Sequence, residues 1–509
     1  MTASPASDNI YHLFESRFPA DPAAPFIETP DGRVRSYGDL AAESARYAHV
    51  LAERGVRKGD RVAVQVEKSP EAISLYLACQ RAGAIYLPLN TAYTAAEVEY
   101  FLTDAEPRLV VASPALAAQA EPLAAKVGAA VLTLDAEGGG SLAAAAAGRP
   151  ETFDTVPAAA DDICAILYSS GTTGRPKGAM MSHRNIGSNA LTLHRLWGFR
   201  PGDVLLHALP IFHTHGLFVA TNCVLLNGSS MLFLPKFDLE PVLRLLPRAT
   251  VMMGVPTYYV RLLAEPRFTP ELCRGMRLFI SGSAPLLAET WNEFKARTGH
   301  PILERYGMTE TGMNTSNPLD GERRPGTVGF PLPDVALRIA GEDGRVLPAG
   351  EIGQIEVKGP NVFKGYWRMP EKTAQEFTAD GFFRTGDLGI VDERGYVSIV
   401  GRGKDLVISG GFNVYPKEVE TCIDEIPGVD ESAVIGLAHR DFGEAVAAVV
   451  TLKPGAAVTP EQITAACRAQ LANYKVPKAV FVVEALPRNT MGKVQKNLLR
   501  EQYKATFAG

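Results

Sequence analysis

Apolar positions along the first part of the chain switch between two periods. Residues 39–54 carry them at helical spacing, 61–66 form a short apolar run of strand length, 69–83 are again helical and open on Ser-Pro-Glu, and 85–90 read as another strand. Residues 94–105 are helical and 108–111 strand-like. Strands that alternate with helices predict a layered α/β fold, with parallel sheets covered by helices on both faces. The alanine- and glycine-rich stretch 114–149 reads as peripheral helix and loop. Strand-like segments return at 204–209, 230–234, 251–255 and 277–281.

From about Val335 the pattern shortens to alternating runs broken by close turns, at 336–339, 354–358 and 396–400, which predicts a small antiparallel β unit. The polar segment Gly401-Arg-Gly-Lys-Asp405 follows, then a compact α/β tail with helices expected at 416–424 and 460–471. The expected organisation is a large N-terminal domain of layered α/β subdomains plus the small β unit over residues 1–401. A small mobile α/β C-terminal domain over 402–509 completes it, with a hinge near Lys404.

Composition changes the picture in three ways. At 509 residues the chain is too long for one core. A net charge of −5 gives no reason to expect nucleic acid, so anionic ligands must be met by local cations and backbone amides. The 6 cysteines are scattered without a Cys-x-x-Cys pair, which fits free thiols in a reducing compartment, no zinc site and a cytoplasmic location. No basic start leads into a long apolar run, and no stretch approaches the ~18 apolar residues of a membrane span, so no membrane partner is expected.

The candidate chemistry centres on Tyr168-Ser-Ser-Gly-Thr-Thr-Gly-Arg-Pro-Lys-Gly178, placed after an apolar strand at 163–167 and before a helix predicted from Ser182. Gly171, Gly174 and Gly178 let backbone fold around an anion, Ser169, Ser170, Thr172 and Thr173 supply hydroxyls, and Lys177 supplies a point charge. It is a phosphate loop but not a Walker A loop, because Lys177 is followed by Gly178 rather than Ser or Thr. Three histidines crowd His207-Ala-Leu-Pro-Ile-Phe-His-Thr-His-Gly216. Read as an extended, strand-like segment, it offers no acidic or Cys ligand near His213 and His215, which argues against a metal site.

These segments resemble the acyl-adenylate-forming superfamily of acyl-CoA synthetases, aryl-CoA ligases, luciferases and peptide-synthetase adenylation domains. The resemblance runs through Ser281-Gly-Ser-Ala-Pro285, Glu304-Arg-Tyr-Gly-Met-Thr-Glu310, Phe383-Arg-Thr-Gly-Asp387, Ser409-Gly-Gly-Phe-Asn-Val-Tyr-Pro416 and Pro487-Arg-Asn-Thr-Met-Gly-Lys493. It implies that Ser283, Ala284, Pro285, Tyr306, Gly307, Met308 and Thr309 border the adenine and α-phosphate of ATP, and that Asp387 and Arg402 hold the ribose. Glu310 and Thr172 are implied as magnesium ligands, and Lys177, Thr309, Glu310 and Lys493 as the catalytic group. His213 matches a gate to the thiol tunnel, Gly411 the coenzyme A channel, Lys404 the hinge, and His207 with Ser283 the acyl pocket; His215 reads as a structural histidine. The implied reaction forms an acyl-adenylate from a carboxylate and ATP, then transfers the acyl group to coenzyme A after rotation at Lys404. Acylation of Lys493 by a modifying enzyme would remove its charge and block the first step.

Arg305 narrows the acid. Its position before Tyr306 borders the acyl group in the superfamily, where a small residue is common. A guanidinium there costs several kcal/mol unless an anion meets it, and a planar guanidinium takes a carboxylate through two charge-assisted hydrogen bonds. A short dicarboxylate is the expected ligand, with His207 as second donor, and the motif combination is similar to malonyl-CoA synthetases; methylmalonate is a second expected substrate. The alternatives are a monocarboxylate acyl- or aryl-CoA ligase, an adenylation enzyme that loads a carrier protein, and a non-catalytic nucleotide sensor.

Overall fold

The computed structural model describes residues 7–169, 176–409, 412–439, 442–471, 473–489 and 492–507. The chain divides into two compact units. One comprises residues 1–325, 331–336 and 358–381, the other 326–330, 337–357 and 382–509. The small β unit and the C-terminal tail therefore share the second unit.

In the first unit one sheet runs in the order Ala130–Thr133, Leu109–Ala112, Arg61–Gln65, Ile85–Pro88, Ile163–Ser169, Lys177–Ser182, parallel except for its last pair. The strand Ala130–Thr133 lies inside the stretch expected to be helix and loop; it is a four-residue edge strand embedded in alanine- and glycine-rich sequence. Helices start where the sequence places caps. Ser69 accepts from the Ala72 amide ahead of Pro70–Arg81, and Ser182 forms a reciprocal box with Asn185 ahead of His183–Leu196. One correction concerns the phosphate loop. A strand, Lys177–Ser182, intervenes before the helix, so Lys177 opens the return strand opposite Ser169.

A second sheet in this unit places Gly312–Ser316, Leu303–Met308, Leu278–Ser281, Val251–Gly254, Val204–His207, Ser230–Phe233, Pro25–Glu28 and Val34–Ser36 side by side. Pairing is parallel from Leu303–Met308 to Pro25–Glu28 and antiparallel at each end of that run. Leu206, Met252, Phe279, Tyr259 and Phe294 pack beside these strands in one buried cluster. His207, Gly254, Ser281 and Met308 are the last residues of adjacent parallel strands. Open α/β sheets bind ligands outside such carboxyl ends.

The second unit holds nearly all of a sheet in the order Ala336–Ala340, Gly353–Lys358, Phe383–Val391, Val397–Arg402, antiparallel from Gly353–Lys358 onward. It also holds a sheet in the order Phe412–Val414, Val407–Ser409, Gly443–Leu452, Val429–His439, with Ala479–Val482 parallel to Gly443–Leu452. Helices Pro416–Asp424 and Pro460–Gln470 cover it, with Val419, Ile423, Ile463 and Cys467 in its core. No helix among the described residues is long and apolar enough to cross a membrane.

Candidate functional site

At the end of Ile163–Ser169 the Ser169 hydroxyl donates to Glu310 Oε1 at 3.0 Å. The return strand begins with Lys177, 7% exposed, whose ammonium stands 4.4 Å from the Tyr366 ring centroid and 3.9 Å from Glu376 Oε1. Burial lowers its pKa, opposed by Glu376 and Glu310. Ser170, Gly171, Thr172, Thr173 and Gly174 lie outside the described residues.

Tyr306, Gly307 and Met308 end the strand Leu303–Met308, with Thr309 next and all four half-buried. Gly307 is required to lack a side chain, since a Cβ would collide with the Gly312 carbonyl across the hairpin. Glu310 follows, 5% exposed. Its Oε1 accepts from Ser169 and Tyr366, and among the described residues nothing donates to Oε2.

Arg305 is 3% exposed, and its Nε and Nη2 are buried without hydrogen-bond partners. It makes no ion pair with a carboxylate of the described residues, and the neighbouring Glu304 carboxylate accepts instead from the Leu286 amide at 3.2 Å. Burial pulls the pKa of the guanidinium down to about 9, opposed by Tyr259 and Glu304. Gly282 gives it room, because a Cβ there would strike the guanidinium carbon.

Two histidines share the field of Arg305. His213 accepts the His215 amide at Nδ1, 3.2 Å, and burial, then the arginine charge, lower its pKa to about 4. His215 is 1% exposed, its Nδ1 lies 3.2 Å from Ser283 Oγ, and its Nε2 is buried and unpartnered. Burial, then Arg305, His213 and His207, hold its pKa well below the usual range, so the ring is neutral. Ser283 adopts φ 71°, a left-handed conformation uncommon outside glycine, which turns its hydroxyl toward this ring. Ala284 is half-buried and Pro285 exposed in the same turn.

The histidine segment departs from expectation. It is not extended: His215–Thr221 form a buried π-helix, a conformation found most often as single turns at functional sites. His207 is not a free donor either. Its Nε2 meets the Gly216 carbonyl at 2.9 Å, its Nδ1 meets Lys68 Nζ at 2.9 Å, and both ring nitrogens are used inside the protein. Lys68 also donates to the His207 carbonyl at 2.9 Å and stands 4.2 Å from the Phe233 ring, with burial lowering its pKa well below the usual value.

In the second unit Asp387, 4% exposed, pairs with Arg402 Nε at 2.7 Å, and the Asp387 amide donates to Thr385 Oγ1 at 3.1 Å. Lys404 sits in the single turn Gly403–Asp405. Lys493 is exposed by accessible area, yet protein crowds its ammonium: loss of hydration, then the adjacent Arg402 and Lys404, lower its pKa to about 8 against Asp387 and Asp405. Gly411 lies outside the described residues.

Sequence reasoning passed over Lys68, Tyr259, Gly282, Tyr366 and Glu376. Only Lys68 left a signal, as a charge between an apolar strand and the helix cap Ser69 at a carboxyl end of the sheet.

Residues 14–367 match the AMP-binding enzyme family and residues 418–493 its C-terminal domain. The crystal structure of ATP-bound MatB from Rhodopseudomonas palustris is 60% identical, with a TM-score of 0.96 over 99% of this chain and 100% of that one. A malonate–CoA ligase of Arabidopsis thaliana is 34% identical over 92% of this chain and 85% of its own length. A feruloyl-CoA synthase of Amycolatopsis sp is 36% identical over 93% of this chain and 94% of its own. Relatives with a dicarboxylate and an aromatic acid in their names thus stand at near-equal identity, so overall similarity to them fixes the family and leaves the acid to the pocket. The family match covers well over half of the chain, and the chain belongs to the AMP-binding enzymes.

Proposed function

We propose that this protein ligates malonate to coenzyme A in an ATP-dependent, AMP-forming reaction through malonyl-AMP, with methylmalonate as a second substrate. The single observation that carries the acid is Arg305: a buried guanidinium with unpartnered Nε and Nη2 beside a neutral histidine whose Nε2 is also unpartnered. A buried charge of this kind is costly unless a ligand completes it, and a carboxylate opposite the reacting one does so with two parallel hydrogen bonds. The donor beside it is His215 rather than His207. In the tautomer in which Ser283 donates to Nδ1, the neutral ring carries its proton on Nε2, where a carboxylate oxygen accepts it. An adjacent methyl changes discrimination by only ~1–3 kcal/mol, hence methylmalonate. A monocarboxylate ligase calls for an apolar pocket floor, and Arg305 is the wrong group for one. The similarity to MatB and to a malonate–CoA ligase supports the same reading.

The free carboxylate attacks the α-phosphorus of ATP in line and pyrophosphate leaves with the electron pair of the broken bond. The thiol of coenzyme A then attacks the acyl carbon and AMP departs. Lys177 and Thr309 are proposed on the phosphates, Tyr306 to Met308 and Ser283 to Pro285 along the adenine, and Asp387 with Arg402 on the ribose. Lys493 serves the first step and the Gly411 segment with His213 the second, exchanged by rotation near Lys404 at the proposed 401/402 boundary. Magnesium is proposed at Glu310, which fits because Oε1 is occupied by two donors while Oε2, a hard oxygen, takes none from a described residue. Bound there, the cation supplies charge neutralisation to the phosphate oxygens.

The test is CoA-dependent AMP release with malonate, methylmalonate, acetate, octanoate and coumarate. A clear preference for malonate is expected; preference for a monocarboxylate overturns the dicarboxylate reading.

A further inference from the structure

Tyr366 touches two groups on which the adenylation step depends. It is 4% exposed, its hydroxyl lies 3.1 Å from Glu310 Oε1, and its ring centroid lies 4.4 Å from Lys177 Nζ. The backbone on either side is tied to the strand that Lys177 opens. Gly365 accepts from the Met180 amide at 3.0 Å, Trp367 donates to the Gly178 carbonyl at 2.7 Å, and Ala179 and Tyr366 form an antiparallel bridge. The Tyr366 amide donates to Thr373 Oγ1 at 2.9 Å. Ring, lysine and strand therefore form one frame, within the first unit.

Each half of the side chain acts on a different charge. The ring face attracts the buried ammonium, whose nearest carboxylate, Glu376, stands 3.9 Å away. The hydroxyl donates to a carboxylate oxygen that already accepts from Ser169, so Oε1 is occupied twice and Oε2 is the oxygen left to offer. The same residue thus fixes where the cation of the protein sits and which face of its anion is open.

We propose that Tyr366 is a positioning residue that sets the spacing between the Lys177 ammonium and the Glu310 carboxylate and selects Glu310 Oε2 for a divalent cation. This rests on the assignment of both residues to the ATP and magnesium site above. It does not depend on which acid is activated.

The test uses the full-length protein without any acid. Binding of a non-hydrolysable ATP analogue is followed by calorimetry in EDTA and across a magnesium series, and bound Mn²⁺ is read by electron paramagnetic resonance. Tyr366→Phe keeps the ring and loses the hydroxyl; Tyr366→Leu loses both. Tyr366→Phe is expected to raise the magnesium half-saturation about tenfold while metal-free analogue binding stays within about twofold of wild type. Tyr366→Leu is expected to weaken metal-free binding about fivefold as well, because Lys177 loses the ring. If Tyr366→Leu unfolds by circular dichroism, Tyr366→Phe alone decides. A wild type with clear magnesium dependence that Tyr366→Phe leaves unchanged overturns the inference. A wild type with no magnesium dependence removes Glu310 from the metal site and takes this inference with it.

Discussion

Replacing Arg305 by Met tests the pocket, because Met keeps most of the volume and removes the charge. In the free protein the guanidinium is buried, two of its nitrogens lack partners, and burial pulls its pKa from the ordinary arginine value down to about 9. At about 1.36 kcal/mol for each tenfold in proton affinity, that drop corresponds to roughly 5 kcal/mol against the charged form. Relaxation reduces such penalties, and exchanging a buried charge for an apolar side chain commonly gains ~1–4 kcal/mol. The protonated form is the penalised one, so the penalty is complete below about pH 9 and is relieved only as pH rises above it toward the ordinary arginine value. At neutral pH Arg305→Met is therefore expected to raise the unfolding midpoint of the ligand-free protein.

The opposite holds for function. Removing one partner of a buried ion pair costs about 3–5 kcal/mol, on the order of 10²–10⁴ in kcat/KM for malonate. Acetate, which has no second carboxylate, should change far less. Added malonate should stabilise the wild type and not the variant. In the wild type the malonate-to-acetate ratio should stay flat at neutral pH and fall above about pH 9, since kcat/KM reports the free enzyme's ionisation. Equal losses for both acids, or a less stable free variant, would show that Arg305 is a packing residue, and the argument would fail.

Three other changes separate the remaining roles. His207→Leu should lower stability in urea by ~2–3 kcal/mol, by stripping Lys68 of a partner at 2.9 Å, while leaving the malonate-to-acetate ratio nearly unchanged. Gly282→Ala places a methyl against the Arg305 guanidinium, so the KM for malonate should rise by about tenfold or more with little effect on acetate. If Lys493 serves adenylation as an ammonium, as proposed, its pKa lowered to about 8 by burial makes the single-turnover rate of malonyl-AMP formation maximal below that value and declining as pH rises through it. Lys493→Gln, or acylation of Lys493, should abolish that step yet leave conversion of preformed malonyl-AMP to the thioester intact.

The sequence exposed what is local. Caps at Ser69 and Ser182, the strands that end at His207 and Ser281, and both tail helices follow from spacing and short-range hydrogen bonds. The edge strand Ala130–Thr133 was hidden because it is only four residues long within an alanine- and glycine-rich stretch, and the strand at Lys177 because glycine and proline before it read as loop. Tyr366 and Glu376 were invisible for another reason: they meet Lys177 only through the fold, and nothing in their own neighbourhoods marks them.

The pocket shows the limit most clearly. Strand alternation turns Arg305 to the side opposite Glu304 and Tyr306, and its expected place at the acyl group was readable from the resemblance of one short segment. Which histidine joins it was not. The histidine segment is not extended, and the π-helix that begins at His215 leaves both His213 and His215 in the field of Arg305. His207, the better candidate by position at a strand end, is claimed by Lys68 from 139 residues away. A ring nitrogen's availability is a tertiary property, set by what else reaches it. The charge proposed to select the acid could therefore be placed from sequence, while the neutral donor proposed beside it could be chosen only once both ends of each imidazole were accounted for.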